Sequence, residues 1–279
     1  MAKRRIIDAH SHIVPDVNAL PNFERVCRKL GIEKICFMGC EWPGVTDLSN
    51  ENVRKAMKRN PELVVGFGGI NLWEEVDPNR VDRLREEGFS GVKLIVPPLP
   101  YHAEEFYPYY ERCQELKMPI CFHLGIIARR RDFNCRIDCN LMRPVYLDTI
   151  ARDFPDLYIW GAHLGNPWYE EATMSCRWNP NLFFDLSGST LKKKSPQFLG
   201  ELLWWTPETF YRSPDGTSAW QKILFGSDVA SEAIPDVYND YENLIAALGL
   251  SEEIAHFIFY ENAARALRWA GVDLSLIHI

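Results

Sequence analysis

Two histidines set one residue apart, His10 and His12, end the apolar run Arg5–Ala9 near the start of the chain. Side chains two positions apart on a strand point the same way. Asp8, His10 and His12 are therefore expected on one face, with both imidazoles at the strand's end. Two neutral imidazoles converging there suit Zn²⁺, Mn²⁺ or Fe²⁺. A lone His-x-His arises readily by chance, and a pair of hydrogen-bonded core histidines would give the same pattern. Recurrence decides between them. His123 ends Ile120-Cys121-Phe122-His123, His163 ends Trp160-Gly161-Ala162-His163, and Asp228 ends Leu224-Phe225-Gly226-Ser227-Asp228. Polar groups able to bind metal or move protons thus return at the same station of four apolar runs. His102, His256 and His278 fall in a loop, a helix and the tail, where surface or capping roles suffice.

For those residues to meet, the runs that carry them must lie side by side. The runs are Arg5–Ala9, Lys34–Met38, Leu63–Gly68, Gly91–Val96, Pro119–Phe122, Leu157–Ala162, Leu182–Leu186 and Ile223–Gly226. They are short, continuous and rich in Ile, Val, Leu and Phe, as strands buried on both faces should be. Amphipathic segments separate them. Phe23–Leu30, for example, places Phe23, Val26, Cys27 and Leu30 at helical spacing. Gly31, Gly88 and Pro155 stop three of these segments, and Ser251–Trp269 reads as a closing helix with Ser251 as its N-cap. Strands alternating with helices in this way predict a (β/α)8 TIM barrel, a single domain over residues 1–279. An open doubly wound sheet lacks support, because no Gly-rich phosphate loop follows the first strand. Long loops follow the fifth and seventh strands, on the end where a barrel builds its site. Leu274–Ile279 is an apolar tail with neither helix nor strand logic.

The formal charge of −7 over 279 residues argues against nucleic acid as a partner, and no run is long enough to span a membrane. A small molecule is the expected partner. The eight cysteines form no C-x2-C pair, and several sit inside apolar runs. Reduced thiols and the lack of a signal-peptide pattern point to the cytoplasm.

His10-Ser11-His12, His123, Gly161-Ala162-His163-Leu164-Gly165, Phe225-Gly226-Ser227-Asp228 and the closing Glu261-Asn262-Ala263-Ala264-Arg265 together resemble the amidohydrolase superfamily. The branch most similar is the one containing aminocarboxymuconate semialdehyde decarboxylase. The resemblance implies one divalent metal, Zn first with Mn or Fe as alternatives, held by His10, His12, His123 and Asp228. It implies His163 as the acid/base, with Asp228 serving as both ligand and base. It also implies that dimers are common among such barrels. Lys93, in Gly91-Val92-Lys93-Leu94, stands where two-metal members place a carbamylated lysine; two metals are expected if it is so modified, with His163 a ligand to the second. Otherwise Lys93 should pair with a substrate carboxylate or with Asp8, since burying it unpaired is costly. Arg129, Arg130 and Arg143 in the loop after His123 are candidates to grip a substrate carboxylate, and Trp168 to wall its pocket. The main expectation is a hydrolase, in which metal-activated water attacks a C–N or C–O bond of a small, carboxylate-bearing substrate. The alternatives are a metal-dependent, non-oxidative decarboxylase of a carboxylated aromatic or enol, and a metal-binding barrel without catalysis.

Overall fold

The computed structural model describes residues 4–129, 134–209 and 213–275. Eight parallel strands lie in sequence order: β1 (Ile6–Ser11), β2 (Ile32–Met38), β3 (Val64–Gly69), β4 (Gly91–Leu94), β5 (Ile120–Phe122), β6 (Ile159–Gly161), β7 (Leu182–Asp185) and β8 (Ile223–Leu224). Helices return the chain between them: α1 (Ala19–Leu30), α2 (Asn50–Arg59), α3 (Asn79–Glu86), α4 (Tyr107–Glu115), α5 (Val145–Asp153) and α6 (Tyr169–Trp178). Hydrogen bonds from Ala9 N to Phe225 O and from Asp228 N to His10 O, both 2.8 Å, join β8 to β1 and close the barrel.

The strands alternate between two apolar layers. Ile35, Phe37, Val92, Ile120, Phe122, Ile159, Leu182 and Phe184 face the helices. Cys36, Met38, Val65, Phe67, Cys121, Trp160, Phe183 and Leu224 fill the interior. β1 keeps this alternation only at its start, where Ile6 faces the helices and Ile7 and Ala9 the interior. Asp8 pairs with Ile35 and Ser11 with Phe37, so β1 carries one residue more than β2 over that stretch. This bulge corrects the expectation that Asp8, His10 and His12 share one face. Asp8 lies in phase with Ile6, and the extra residue turns His10 inward.

Beyond β7 the chain forms α7 (Ser189–Lys193) and α8 (Pro196–Leu202), and beyond β8 it forms α9 (Ile234–Leu248) and α10 (Glu252–His256). The long α9 is a helix that the sequence reading leaves unassigned. It buries Val237, Tyr241, Leu244 and Ile245 at helical spacing. Ser251 caps α10 through its Oγ, which accepts from Ile254 N. The closing helix is not continuous: a π turn at Phe257–Glu261 separates α10 from α11 (Asn262–Trp269). Ala263, Ala264, Ala266 and Leu267 of α11 pack against the interior layer at the strands' starting ends, where Arg5 stacks over Tyr260 and Tyr158 meets Trp269. Leu274 packs on the same layer, and its carbonyl accepts from Arg5; residues 276–279, with His278, lie outside the described residues. All eight cysteines are free, and no helix among the described residues is long and apolar enough to cross a membrane.

Candidate metal centre

At the ends of β1 and β8, one nitrogen each from His10 and His12 and one oxygen of Asp228 lie within 4.8 Å of one another. His12 Nε2 is 3.4 Å and His10 Nε2 3.8 Å from Asp228 Oδ1. The far side of each ring is tied down. His12 Nδ1 donates to Met38 O at 2.9 Å, and His10 Nδ1 donates to Asp185 Oδ2 at 2.8 Å. An oxygen acceptor on Nδ1 places the hydrogen there and leaves the lone pair on Nε2, the arrangement a ligand histidine needs. His123 stands outside this set of three. Its Nε2 is buried without a hydrogen-bond partner, and its ring centroid lies 5.0 Å from that of His163.

His163 faces the same group from β6. Its Nε2 is 3.8 Å from Asp228 Oδ2, and its Nδ1 is 2.9 Å from Ser187 Oγ. Both His163 (φ 61°) and Asp228 (φ 46°) adopt the left-handed backbone region. That conformation costs a residue with a side chain on the order of 1–3 kcal/mol. It is held by hydrogen bonds from His163 N to Asp185 Oδ1 (3.0 Å) and from Asp228 N to His10 O. The strain turns both side chains over the barrel mouth. Gly226 allows the close packing beneath them: a Cβ there would lie 3.0 Å from the Cβ atoms of both Asp185 and His10.

Burial sets the charges. It pushes His12 down to about 4, His123 well below the usual imidazole value with His163 adding to the effect, and His163 downward as well. Burial alone would raise Asp228, but His10, His163 and His12 hold it below the ordinary carboxylate value. Asp8 is pushed up to about 6 by burial; its Oδ1 accepts from Ser227 N and His10 N, while Oδ2 has no partner. Neutral imidazoles beside an ionised carboxylate are the donor states that a divalent cation requires. The orphaned His123 Nε2 is a further buried donor with nothing else to bind. The residues present therefore fit a divalent metal of the Zn, Mn or Fe kind.

Lys93 points into the barrel, with Nζ 3.4 Å from His10 Nε2 and 3.3 Å from Cys121 Sγ. It does not pair with Asp8. Arg143 is held by Glu171 and lies over the Trp168 ring at 5.3 Å, so the two rim candidates come together with the guanidinium already engaged. Arg129 is exposed, and Arg130 lies outside the described residues. Asp185, which the sequence reading passed over, organises the site from β7. Leu182-Phe183-Phe184-Asp185 has the same apolar-run-then-polar form as the runs ending in His123 and His163. A cavity of about 420 Å³ opens beside His12 and Asp228, bordered by Val14, Phe23, Asn22, Val229 and Ser231. That size suits a small molecule.

Residues 7–269 match the profile of a protein family described as Amidohydrolase. No curated protein matches the chain in sequence. Among solved structures, an uncharacterised TIM-barrel protein of Bordetella bronchiseptica is similar with TM-score 0.71 and 18% identity, over 96% of this chain and 99% of that one. A 2,6-dihydroxybenzoate decarboxylase complexed with 2,6-dihydroxybenzoate gives TM-score 0.66 and 14% identity, over 95% and 99%. A 5-carboxyvanillate decarboxylase of Novosphingobium aromaticivorans, complexed with manganese and 4-hydroxy-3-methoxy-5-nitrobenzoic acid, gives TM-score 0.57 and 14% identity, over 95% and 96%. At these identities the likeness speaks for the fold.

Proposed function

Because the chain belongs to the amidohydrolase family, we propose that it is a metal-dependent, non-oxidative decarboxylase acting on a small carboxylated aromatic or enol. The observation that carries this is the single three-donor set among the described residues, His10, His12 and Asp228, with His163 beside it rather than in it. A one-metal set leaves His163 free to handle a proton. Two of the structural neighbours are named as decarboxylases of hydroxylated aromatic acids, which favours this reaction over the hydrolysis that the sequence reading placed first.

When bound, the metal supplies Lewis acidity that anchors an oxygen of the substrate and draws charge out of its ring or enol. His10, His12 and Asp228 would hold it, with His123 Nε2 as a further donor. His163 Nε2 and Asp228 Oδ2, 3.8 Å apart, share the task of holding a proton for the carbon that bears the carboxylate. As that proton forms the new C–H bond, the C–C bond to the carboxylate breaks and its electron pair stays with the carbon. CO2 leaves, and solvent returns the proton. Val14 and Phe23 give the adjoining cavity an apolar wall for an aromatic ring.

The test is a panel of hydroxylated aromatic and enolic carboxylates, followed by CO2 release, run beside esters, lactones and amides. Expected is CO2 release that chelation abolishes and Mn²⁺ or Zn²⁺ restores, with about one metal per chain. His12→Ala should lose the metal, and His163→Asn should keep it but lose turnover. Hydrolysis without CO2 release, or about two metals per chain with Lys93 carbamylated, would replace this reading with the hydrolytic one.

A further inference from the structure

We propose that Asp185 and Ser187 are positioning residues that fix the tautomers of His10 and His163 together, using the two oxygens of one carboxylate. The roles of those histidines as ligand and proton carrier rest on the function proposed above; the tautomers rest on hydrogen bonds alone.

A carboxylate only accepts hydrogen bonds. Asp185 Oδ2, 2.8 Å from His10 Nδ1, therefore requires the hydrogen on Nδ1 and leaves His10 Nε2 bare toward Asp228. Asp185 Oδ1 takes three donors: His163 N at 3.0 Å, Ser187 N at 2.9 Å and the Ser187 hydroxyl. Because the serine hydrogen goes to Asp185, Ser187 Oγ meets His163 Nδ1 only with a lone pair. If the hydroxyl turned to His163 instead, two acceptor oxygens would face each other in close contact with no hydrogen between them. His163 is thus also Nδ1–H, with Nε2 free to take a proton. Asp185 is buried, and three donors converge on its Oδ1, the load that favours a carboxylate over the neutral acid. Gly188 (φ 69°) follows Ser187; a Cβ there would come within 3.3 Å of His163 Nδ1, the nitrogen that Ser187 serves. His12 reaches the same tautomer through Met38 O and is independent of Asp185.

The unequal load on the two oxygens gives a directional test. In Asp185→Asn the one remaining oxygen belongs where three donors converge, which turns the amide NH2 toward His10 Nδ1. His10 should then flip to the Nε2–H form and lose its ligand lone pair. In Ser187→Ala only His163 loses its fixed tautomer. Two-bond ¹H–¹⁵N spectra of histidine-labelled, metal-free protein at about pH 8, where imidazoles are neutral, read each ring directly. Zn²⁺ titration against a competing chelator then reads the consequence. Expected for Asp185→Asn is Nε2–H at His10, an unchanged His12, and Zn²⁺ affinity lower by roughly 10- to 100-fold. Expected for Ser187→Ala is a changed His163, unchanged His10 and His12, and affinity within about twofold of wild type, since the tie to His10 remains. His10 remaining Nδ1–H in folded Asp185→Asn, or His163 unaltered in Ser187→Ala, would overturn the inference. Should Asp185→Asn not fold, the Ser187→Ala spectra decide alone. Tautomers that change as described while no protein takes up Zn²⁺ would support this inference and remove the metal reading.

Discussion

Gly226→Ala tests whether the site depends on how closely β1, β7 and β8 approach. The new Cβ would sit 3.0 Å from the Cβ atoms of Asp185 and His10 and 3.3 Å from Asp185 Cγ. Carbon atoms rest at about 3.5–4.0 Å, so two contacts are short by roughly half an ångström or more. Both offending carbons are fixed to backbone and cannot swing aside; the strands themselves must part. Overpacking of this kind costs about 1–3 kcal/mol. It also pushes apart the pair joined by the 2.8 Å bond from His10 Nδ1 to Asp185 Oδ2. Metal affinity should therefore fall by roughly tenfold or more. Gly200→Ala in α8 is the counterpart. Its Cβ would meet only the tip of Leu248, at 3.1 Å, and that methyl can turn. Alanine is also the better helix former by about 1 kcal/mol, so this variant should be as stable as wild type or more so. Urea unfolding of both variants in chelator, with m-values compared, measures the stability difference. Metal titration of the folded variants measures the rest. Equal costs at the two glycines, or full metal affinity in Gly226→Ala, would refute the packing argument.

Three further outcomes follow from groups other than the metal ligands. Burial works against the Asp215 carboxylate, but the Lys222 ammonium, 2.7 Å away, outweighs it and holds the pKa below the ordinary value. Such a group adds stability above its unfolded pKa and loses it as pH falls through the folded one. The advantage of wild type over Asp215→Asn should thus be largest near neutral pH and shrink below about pH 4; a gap that widens in acid would contradict the pairing. Burial pushes the Cys40 and Cys121 thiols up to about 12 and about 11, whereas Cys135 and Cys139 are only partly buried. A thiol-disulfide reagent should label those two quickly in native protein and the other six only on unfolding. Tyr101 donates to both Leu94 O and His123 O, so Tyr101→Phe should lower unfolding stability by about 1–3 kcal/mol, checked by the same urea titration.

The barrel was legible because each strand is a local signal, a short apolar run buried on both sides, and the first, fifth, sixth and eighth runs end before a polar residue. The stations of His10, His12, His123, His163 and Asp228 were legible for the same reason. The phase of β1 was not. Its bulge is fixed by pairing with β8, more than two hundred residues away in sequence, through Ala9 to Phe225 and Asp228 to His10. Asp185 escaped notice because the seventh strand reads naturally through to Leu186, which makes the aspartate an interior residue of the run rather than its end. Arg143 looked free in the sequence because its partner Glu171 lies on α6, well along the chain from the loop that holds Arg143. The sequence could not separate hydrolysis from decarboxylation, because it does not show whether His163 stands among the donors or beside them.

The α11 residues that pack beneath the interior layer make the barrel a well with a single mouth. Traffic through it runs in both directions past the same rim. A molecule bound at the rim beside His12 and Asp228 therefore bars the next one from the same entrance. A reaction that sheds one small neutral gas leaves a single bulky molecule to clear, where hydrolysis of an open-chain ester or amide would leave two.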